Sequence, residues 1–225
     1  MTKTERVYAH RPRLYSGSTG LLRRGENDLL VVQVDLWYDL DGRQKMVEFC
    51  VLRTGTGTDM RQWELMEPVP ILQDDDNEVA PVEGNAVIPV GDRYLCWVDC
   101  KNGFFLCDMA DEARPKVRYV PVPAEVSRCC SSDDHDDYDD KDLFPLKYTK
   151  KMGAEGASRV RFVSIDPHCC CGGPGRSTCA HSHFAFTVRT WTMDLNMDDK
   201  PLAWVKDGEM DCEEVWALPG YEGLS

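Results

Sequence analysis

The sequence predicts an all-β protein built from antiparallel meanders, β-propeller-like, with a complete and an incomplete set of blades both open, and with disordered loop insertions. Three observations predict it. Apolar runs rich in β-branched and aromatic residues recur in three groups along the chain. Within a group the runs are joined by turn chemistry of the Asn-Gly or Asp-x-Asp-Gly kind. Several runs also alternate polar and apolar residues at the strand period of two.

Residues 1–25 read as a basic N-terminal arm or a first strand. Lys3, Arg6, Arg11, Arg13, Arg23 and Arg24 stand there against a single acid, Glu5. An arginine-rich, acid-poor start with Ser and Thr also fits an organelle transit peptide. Val7-Tyr8-Ala9-His10 and Leu14-Tyr15 have loosely apolar strand character, which favours an arm without a targeting role. Gly20-Leu-Leu-Arg-Arg-Gly25 has the glycine spacing of a phosphate loop, but Glu26-Asn27 occupies the place of Lys-Ser/Thr and would repel a phosphate.

Residues 26–225 read as a single β domain. Leu29–Trp37 and Lys45–Arg53 flank the turn Asp39-Leu-Asp-Gly42, and Trp63-Glu-Leu-Met66 follows a Gly/Thr loop, which makes one meander. In a second, Tyr94–Asp99 and Phe104–Cys107 are joined through Lys101-Asn102-Gly103. Asn-Gly is the strongest short signal for a two-residue hairpin turn. Val117–Val122 closes this group as its third strand. A third meander comprises Arg159–Ile165, Ser182–Thr192 and Leu202–Lys206, with Asp194–Pro201 as a polar turn. Arg53-Thr54 followed by Trp63, and Arg189-Thr190 followed by Trp204, form a weak repeat suggestive of propeller blades. Closure takes ~4 to 8 blades of four strands, and the chain holds material for three or four.

Two insertions interrupt these groups. Residues 127–151 include Asp133-Asp-His-Asp-Asp-Tyr-Asp-Asp-Lys-Asp142, too poor in apolar groups to offset the entropy of ordering, so a disordered loop is expected. The run lacks the glycine and closing Glu of an EF-hand loop, which makes it a solvated acidic stretch rather than a Ca²⁺ site. Residues 166–181 form a Cys/Gly-rich loop.

That second loop and the start of the strand after it concentrate metal-ligand residue types in His168, Cys171, Cys179, His181 and His183. Zinc takes four S or N donors in a tetrahedron, and Gly172-Gly-Pro-Gly175 could fold one ligand pair onto another. Three adjacent cysteines cannot face one ion, however, and the loop has no Cys-x-x-Cys pair. The expectation is a loop without metal, with a zinc-stabilised domain as the alternative.

Elsewhere the pattern argues against catalysis. No Gly-x-Ser-x-Gly elbow and no His-Glu-x-x-His occur, and histidine is limited to five residues. Asp99 and Asp108, at the ends of the central hairpin, are expected to cap a turn or to pair with Arg93 or Lys101. No catalytic residue, cofactor or small-molecule substrate is expected. Of the eleven cysteines, Cys50, Cys96 and Cys107 fall in strand-like runs, where a reduced thiol behaves as a small hydrophobe. The six tryptophans are expected to pack in the interior, except Trp191, which shares a strand side with Arg189 and should be partly exposed.

With 39 acidic against 26 basic residues the formal charge is −13, which disfavours nucleic acid except through the basic arm as an alternative. No apolar run approaches the ~20 residues of a membrane-spanning helix. A protein partner, no membrane, and an intracellular location in cytoplasm or nucleus are expected.

Tyr94-Leu-Cys-Trp-Val-Asp99, Gly103-Phe-Phe-Leu-Cys-Asp108 and Pro115-Lys-Val-Arg-Tyr-Val-Pro-Val-Pro123 together resemble the pattern of the domain of unknown function 1618, a large family of mostly grass proteins. The resemblance implies a plant protein with a β fold and supplies no activity. Family members normally continue beyond the position of Ser225, which implies a truncated or shortened member with an open sheet edge.

Overall fold

The computed structural model describes residues 14–38, 45–54, 63–72, 86–127, 150–167, 186–196 and 201–221. The chain divides into two compact units. One is Met1–Pro121 with Ala154–Val160 and Asp194–Leu202; the other is Val122–Gly153 with Arg161–Met193 and Ala203–Ser225.

The first unit holds a nine-stranded sheet. Its strands are β1 (Thr19–Arg23), β2 (Leu29–Tyr38), β3 (Lys45–Thr54), β4 (Trp63–Leu65), β5 (Val69–Leu72), β6 (Ala86–Val90), β7 (Tyr94–Asp99), β8 (Gly103–Asp108) and β9 (Lys116–Pro121). The order is β1-β2-β3-β5-β9-β8-β7-β6, with β4 also on β3. The first two expected meanders are therefore one sheet. They join where β5 runs parallel to β9, pairing Ile71 with Val117 and Leu72 with Arg118. The central group has four strands, because Ala86–Val90 pairs with β7 ahead of the expected three. Pro89 within β6 is tolerated because β6 ends the strand order and needs no ladder bond on its outer side.

This sheet curls into a nearly closed barrel. Alternation selects the inward residues: Leu30, Val32 and Val34 on β2, and Val47, Phe49 and Val51 on β3. These form one cluster with Leu22, Leu95, Trp97, Phe105, Cys107, Met109 and Val117. Burying each large apolar side chain contributes about 1.5–3 kcal/mol. Closure depends on Gly20, whose inward position lets β1 approach the other end of the sheet; a Cβ there would lie 2.9 Å from Val87 Cγ1 and 3.1 Å from Leu95 Cδ2. Trp97 Nε1 donates to Ser18 O at 3.1 Å and fastens β7 to the chain entering β1. Arg24 bonds Glu112 and the Met109 carbonyl, and Arg53 Nε donates to Glu112 Oε2 at 2.6 Å.

The expected two-residue turn between β7 and β8 is instead a three-residue loop. Asp99 pairs with Gly103 in register, leaving Cys100-Lys101-Asn102 between them. The Asp99 carboxylate closes this loop, accepting from the Lys101 amide at 2.9 Å and from Asn102 Nδ2 at 2.8 Å. Gly103 thus opens a strand rather than completing a turn.

The second sheet has the order β10 (Lys150–Glu155), β11 (Arg159–Pro167), β12 (Phe186–Asp194) and β13 (Val205–Asp211). Two short helices, α1 (Ala124–Ser127) and α2 (Cys212–Trp216), and a 3₁₀ turn Pro219–Tyr221 complete the described elements. The strand expected at Leu202–Lys206 lies further along the chain, at Val205–Asp211. Its residues are exposed on both sides, so they show no alternation to read. Trp204 stays outside the ladder and packs on Phe162, with ring centroids 5.8 Å apart.

Trp191 corrects the expectation of partial exposure: it is 2% exposed and packs on Phe162 at 6.0 Å. Arg189 does share its side of β12, but that side faces inward and the guanidinium is neutralised there by carboxylates. A charged residue was a false marker of the solvent face.

Candidate functional site

The two carboxylates of the central hairpin are both nearly inaccessible. They lie at opposite ends of β7 and β8, since Asp99 pairs with Gly103 and Asp108 with Tyr94. Asp99 is engaged by the loop it closes. Asp108 accepts from Arg93 through two bonds, Nε to Oδ1 at 2.8 Å and Nη2 to Oδ2 at 2.6 Å, and from the Ala110 amide at 3.0 Å. Of the partners the sequence offered, Arg93 takes Asp108, while Lys101 reaches Asp99 through its backbone amide. Tyr119 donates to Asn102 O at 2.9 Å. Its hydroxyl is pushed above its ordinary pKa by burial and by the Asp99 charge, so it stays a donor.

Burial works to raise the pKa of Asp108. The Arg93 bonds, the Ala110 amide and the charges of Arg93 and Lys116 outweigh that effect and hold the carboxyl below its usual value. A carboxylate whose pKa is lower folded than unfolded adds stability above the unfolded value of about 3.9. That contribution disappears as pH falls through the lowered folded value. Asp108→Asn is therefore expected to lower the urea midpoint at pH 6 but to match the wild type more closely near pH 2.5. An equal difference at both pH values would show that the ion pair does not set the acid dependence.

Several residues singled out from sequence lie outside the described residues: His168, Cys171, Cys179, His181 and His183, the aspartate run, and Lys3, Arg6, Arg11 and Arg13 of the arm. Among the described residues no group of three or more His, Cys, Asp or Glu is placed to hold a metal ion. Of the arm's remaining bases, Arg23 bonds the Gly25 and Glu26 carbonyls and Arg24 is held by Glu112. The described cysteines are free thiols. Burial, with the charges of Asp35 and Glu48, pushes Cys50 up to about 11, and burial also raises Cys96 and Cys107. Protonated thiols of this kind are poor nucleophiles.

Sequence reasoning missed a polar cluster on the second sheet. β11 directs Val160, Phe162, Ser164 and Asp166 to its buried side. There Ser164 Oγ donates to Asp166 Oδ1 at 2.7 Å, and Arg189 Nη1 from β12 donates to Asp166 Oδ2 at 2.8 Å. Arg189 also meets Glu209 on β13, and Lys206 Nζ bonds Glu209 at 2.6 Å and Glu125 at 3.2 Å. Burial lowers the Arg189 pKa, but Glu209 and Asp166 outweigh it and raise it. Lys206, with help from Arg189, holds Glu209 low. The readable signal was Ser164 and Asp166 continuing the apolar alternation of Val160 and Phe162. Both arginines of the weak repeat are held between two carboxylates, Arg53 by Glu64 and Glu112 and Arg189 by Asp166 and Glu209. The cluster ties β11, β12 and β13 together through side chains, with Ser164 wholly buried and its hydroxyl donating a hydrogen bond to Asp166.

Beyond the cluster, β13 ends its sheet. Val205 is 62% and Met210 36% exposed, and Trp216, stacked edge-on against Phe186 at 5.8 Å, is 49% exposed.

A family model for a protein of unknown function (DUF1618) matches residues 97–224, more than half of the chain. The chain belongs to this family. The family segment begins at Trp97 in β7 and takes in β8, β9 and the whole second sheet, while β1 to β6 precede it. Asp99, Asp108, the Ser164–Asp166–Arg189 cluster and β13 thus all lie within the family segment. No curated protein and no solved structure matches the chain.

Proposed function

We propose that this chain is a non-catalytic protein-interaction scaffold, in which a β framework presents a strand edge and loops to another protein. The observation that carries the reading is β13, which ends the strand order of its sheet with all seven residues exposed. A strand so placed turns one row of backbone donors and acceptors toward its paired neighbour and the other row away, a template for a further strand. Asp99 and Asp108, the carboxylates best placed by sequence for acid–base work, are engaged instead with amides, Asn102 and Arg93.

On this reading the four-stranded β10–β13 sheet is the propeller-blade-like unit of the chain. The protein works in the cytoplasm or nucleus of a plant cell, and its charge of −13 keeps it from nucleic acid and anionic lipid. The test is affinity capture with the immobilised full chain, titrated against cell extract. A saturable partner near equimolar ratio, absent from heat-unfolded chain, is expected. Retention no greater than on the unfolded chain overturns the reading.

A further inference from the structure

The partner that β13 suits can be read from its register. Thr192 faces Val205 and Val188 faces Met210, so Val205 and Met210 project to one side of the sheet. Arg189 faces Glu209 and Thr187 faces Asp211, so Glu209 and Asp211 project to the other, with Lys206 opposite Trp191. A bulge between Thr190 and Trp191 sets Asp207 apart from this alternation. Asp207 accepts from Thr192 Oγ1 at 2.7 Å and lies 3.9 Å from Arg161. The strand thus has an apolar side and an acidic side, and α2, which follows it, carries Glu213 and Glu214 in its first turn, Glu214 accepting from the Asp211 amide.

Lys206, the one base on β13, has its ammonium bonded to Glu209 and Glu125. The acids Glu125, Asp166, Glu209 and Asp211 on this side are opposed by Arg189 and Lys206, which leaves an excess of negative charge. A second copy of the same edge would bring Asp207, Glu209 and Asp211 against their own counterparts, and like charges across adjacent strands repel.

We propose that β13 accepts an extended cationic segment of a partner protein as a fifth strand of this sheet. Its apolar residues lie beside Val205 and Met210, and its alternate Lys or Arg residues beside Glu209 and Asp211. The proposal rests on the interaction reading above and gives the partner its chemistry: a strand-forming sequence alternating basic and apolar residues. Backbone bonds to the edge supply pairing, while charge selects the segment and makes the affinity salt-dependent.

The test uses the full chain and three fluorescein-labelled peptides: an alternating Lys-Val peptide, a Glu-Val peptide of equal length, and a Lys-Val peptide with two central valines replaced by proline. Saturable anisotropy is expected for the first alone, weakening severalfold between 50 and 200 mM salt. Slowed amide hydrogen exchange is expected within Val205–Asp211. V205K/M210K, whose exposed positions leave the circular dichroism unchanged, should weaken binding at least tenfold.

Equal binding of the proline peptide would mean unspecific charge attraction, and undiminished binding by V205K/M210K would mean a site away from β13; either result overturns the proposal. Failure of the Lys-Val peptide to bind, or protection of Val205–Asp211 by self-association at rising protein concentration, would also overturn it. If extract capture yields a stoichiometric partner while the peptide fails, the strand site falls and the scaffold reading stands. If the peptide passes and capture fails, the scaffold reading falls.

Discussion

Gly103→Ala is expected to destabilise the protein by on the order of 3 kcal/mol, a change whose large size has a specific steric cause. A Cβ at this position would lie 2.3 Å from the Val120 carbonyl oxygen and 3.0 Å from Pro121 Cα. Both obstacles belong to the backbone of β9, paired with β8 through Gly103 and Pro121, so relief requires the strands to separate. The glycine also holds φ at +156°, a value that a side chain makes costly. Gly25→Ala is the control: its φ is +90° but nothing lies within 4 Å of the new Cβ. Only the conformational term remains there, about 1–2 kcal/mol. Urea unfolding of both variants separates the causes. A Gly103 variant no less stable than the Gly25 variant would mean that β9 yields easily.

Trp97→Ala is expected to cost about 3–5 kcal/mol, the usual range for deleting a buried aromatic. The ring lies in the interior of the barrel-like sheet, tilted against Phe49 at 6.2 Å and across the ladder from Phe105. Its indole N–H is also the donor to Ser18 O, so truncation leaves a void and an acceptor without its partner. Trp97→Phe divides these contributions: it keeps most of the packing and loses the hydrogen bond, which should cost about 1 kcal/mol plus that of the smaller ring. If Phe is as damaging as Ala, the bond to Ser18, and with it the attachment of β1, matters more than the filled volume.

How much of this was legible follows from the kind of signal each element carried. β2 and β3 were legible as strands from their β-branched and aromatic content, but Leu29-Leu-Val-Val32 hides the alternation and Gln33 is buried beside Val32 and Val34, so the inward face came only with the fold. β7 and β8 are buried on both faces and appear as continuous apolar runs, which marked them as central. β10 escaped and β13 was placed too early because Lys150–Glu155 and Val205–Asp211 lie at the ends of their sheet, are largely exposed and carry few apolar residues. The hairpin loop was misjudged by one residue, because Asn-Gly favours a two-residue turn in isolation while the Asp99 side chain and the carbonyl of β9 favour another register.

The candidate site divides along the same line. Asp108 and Arg93 are close along one hairpin, and their pairing was among the expected outcomes. Ser164, Asp166, Arg189 and Glu209 come from three strands and look like unrelated polar residues until β11, β12 and β13 align. Trp191 was misread because charge in a sequence suggests solvent, and only the folded chain brings Asp166 and Glu209 to Arg189.

By itself the sequence determined what depends on neighbours along the chain: strand propensity, the places of the turns, the free-thiol character of the strand cysteines and the acidic balance. Tertiary structure decided what depends on pairing between distant segments: β5 beside β9, Gly20 against Val87, the burial of Trp191 and the place of β13 at the end of its sheet's strand order among the described residues. The physical reason is that a strand's backbone bonds are completed by another strand. Local chemistry prepares an edge, and which edge it meets is settled by the competition of all strands for partners and buried area.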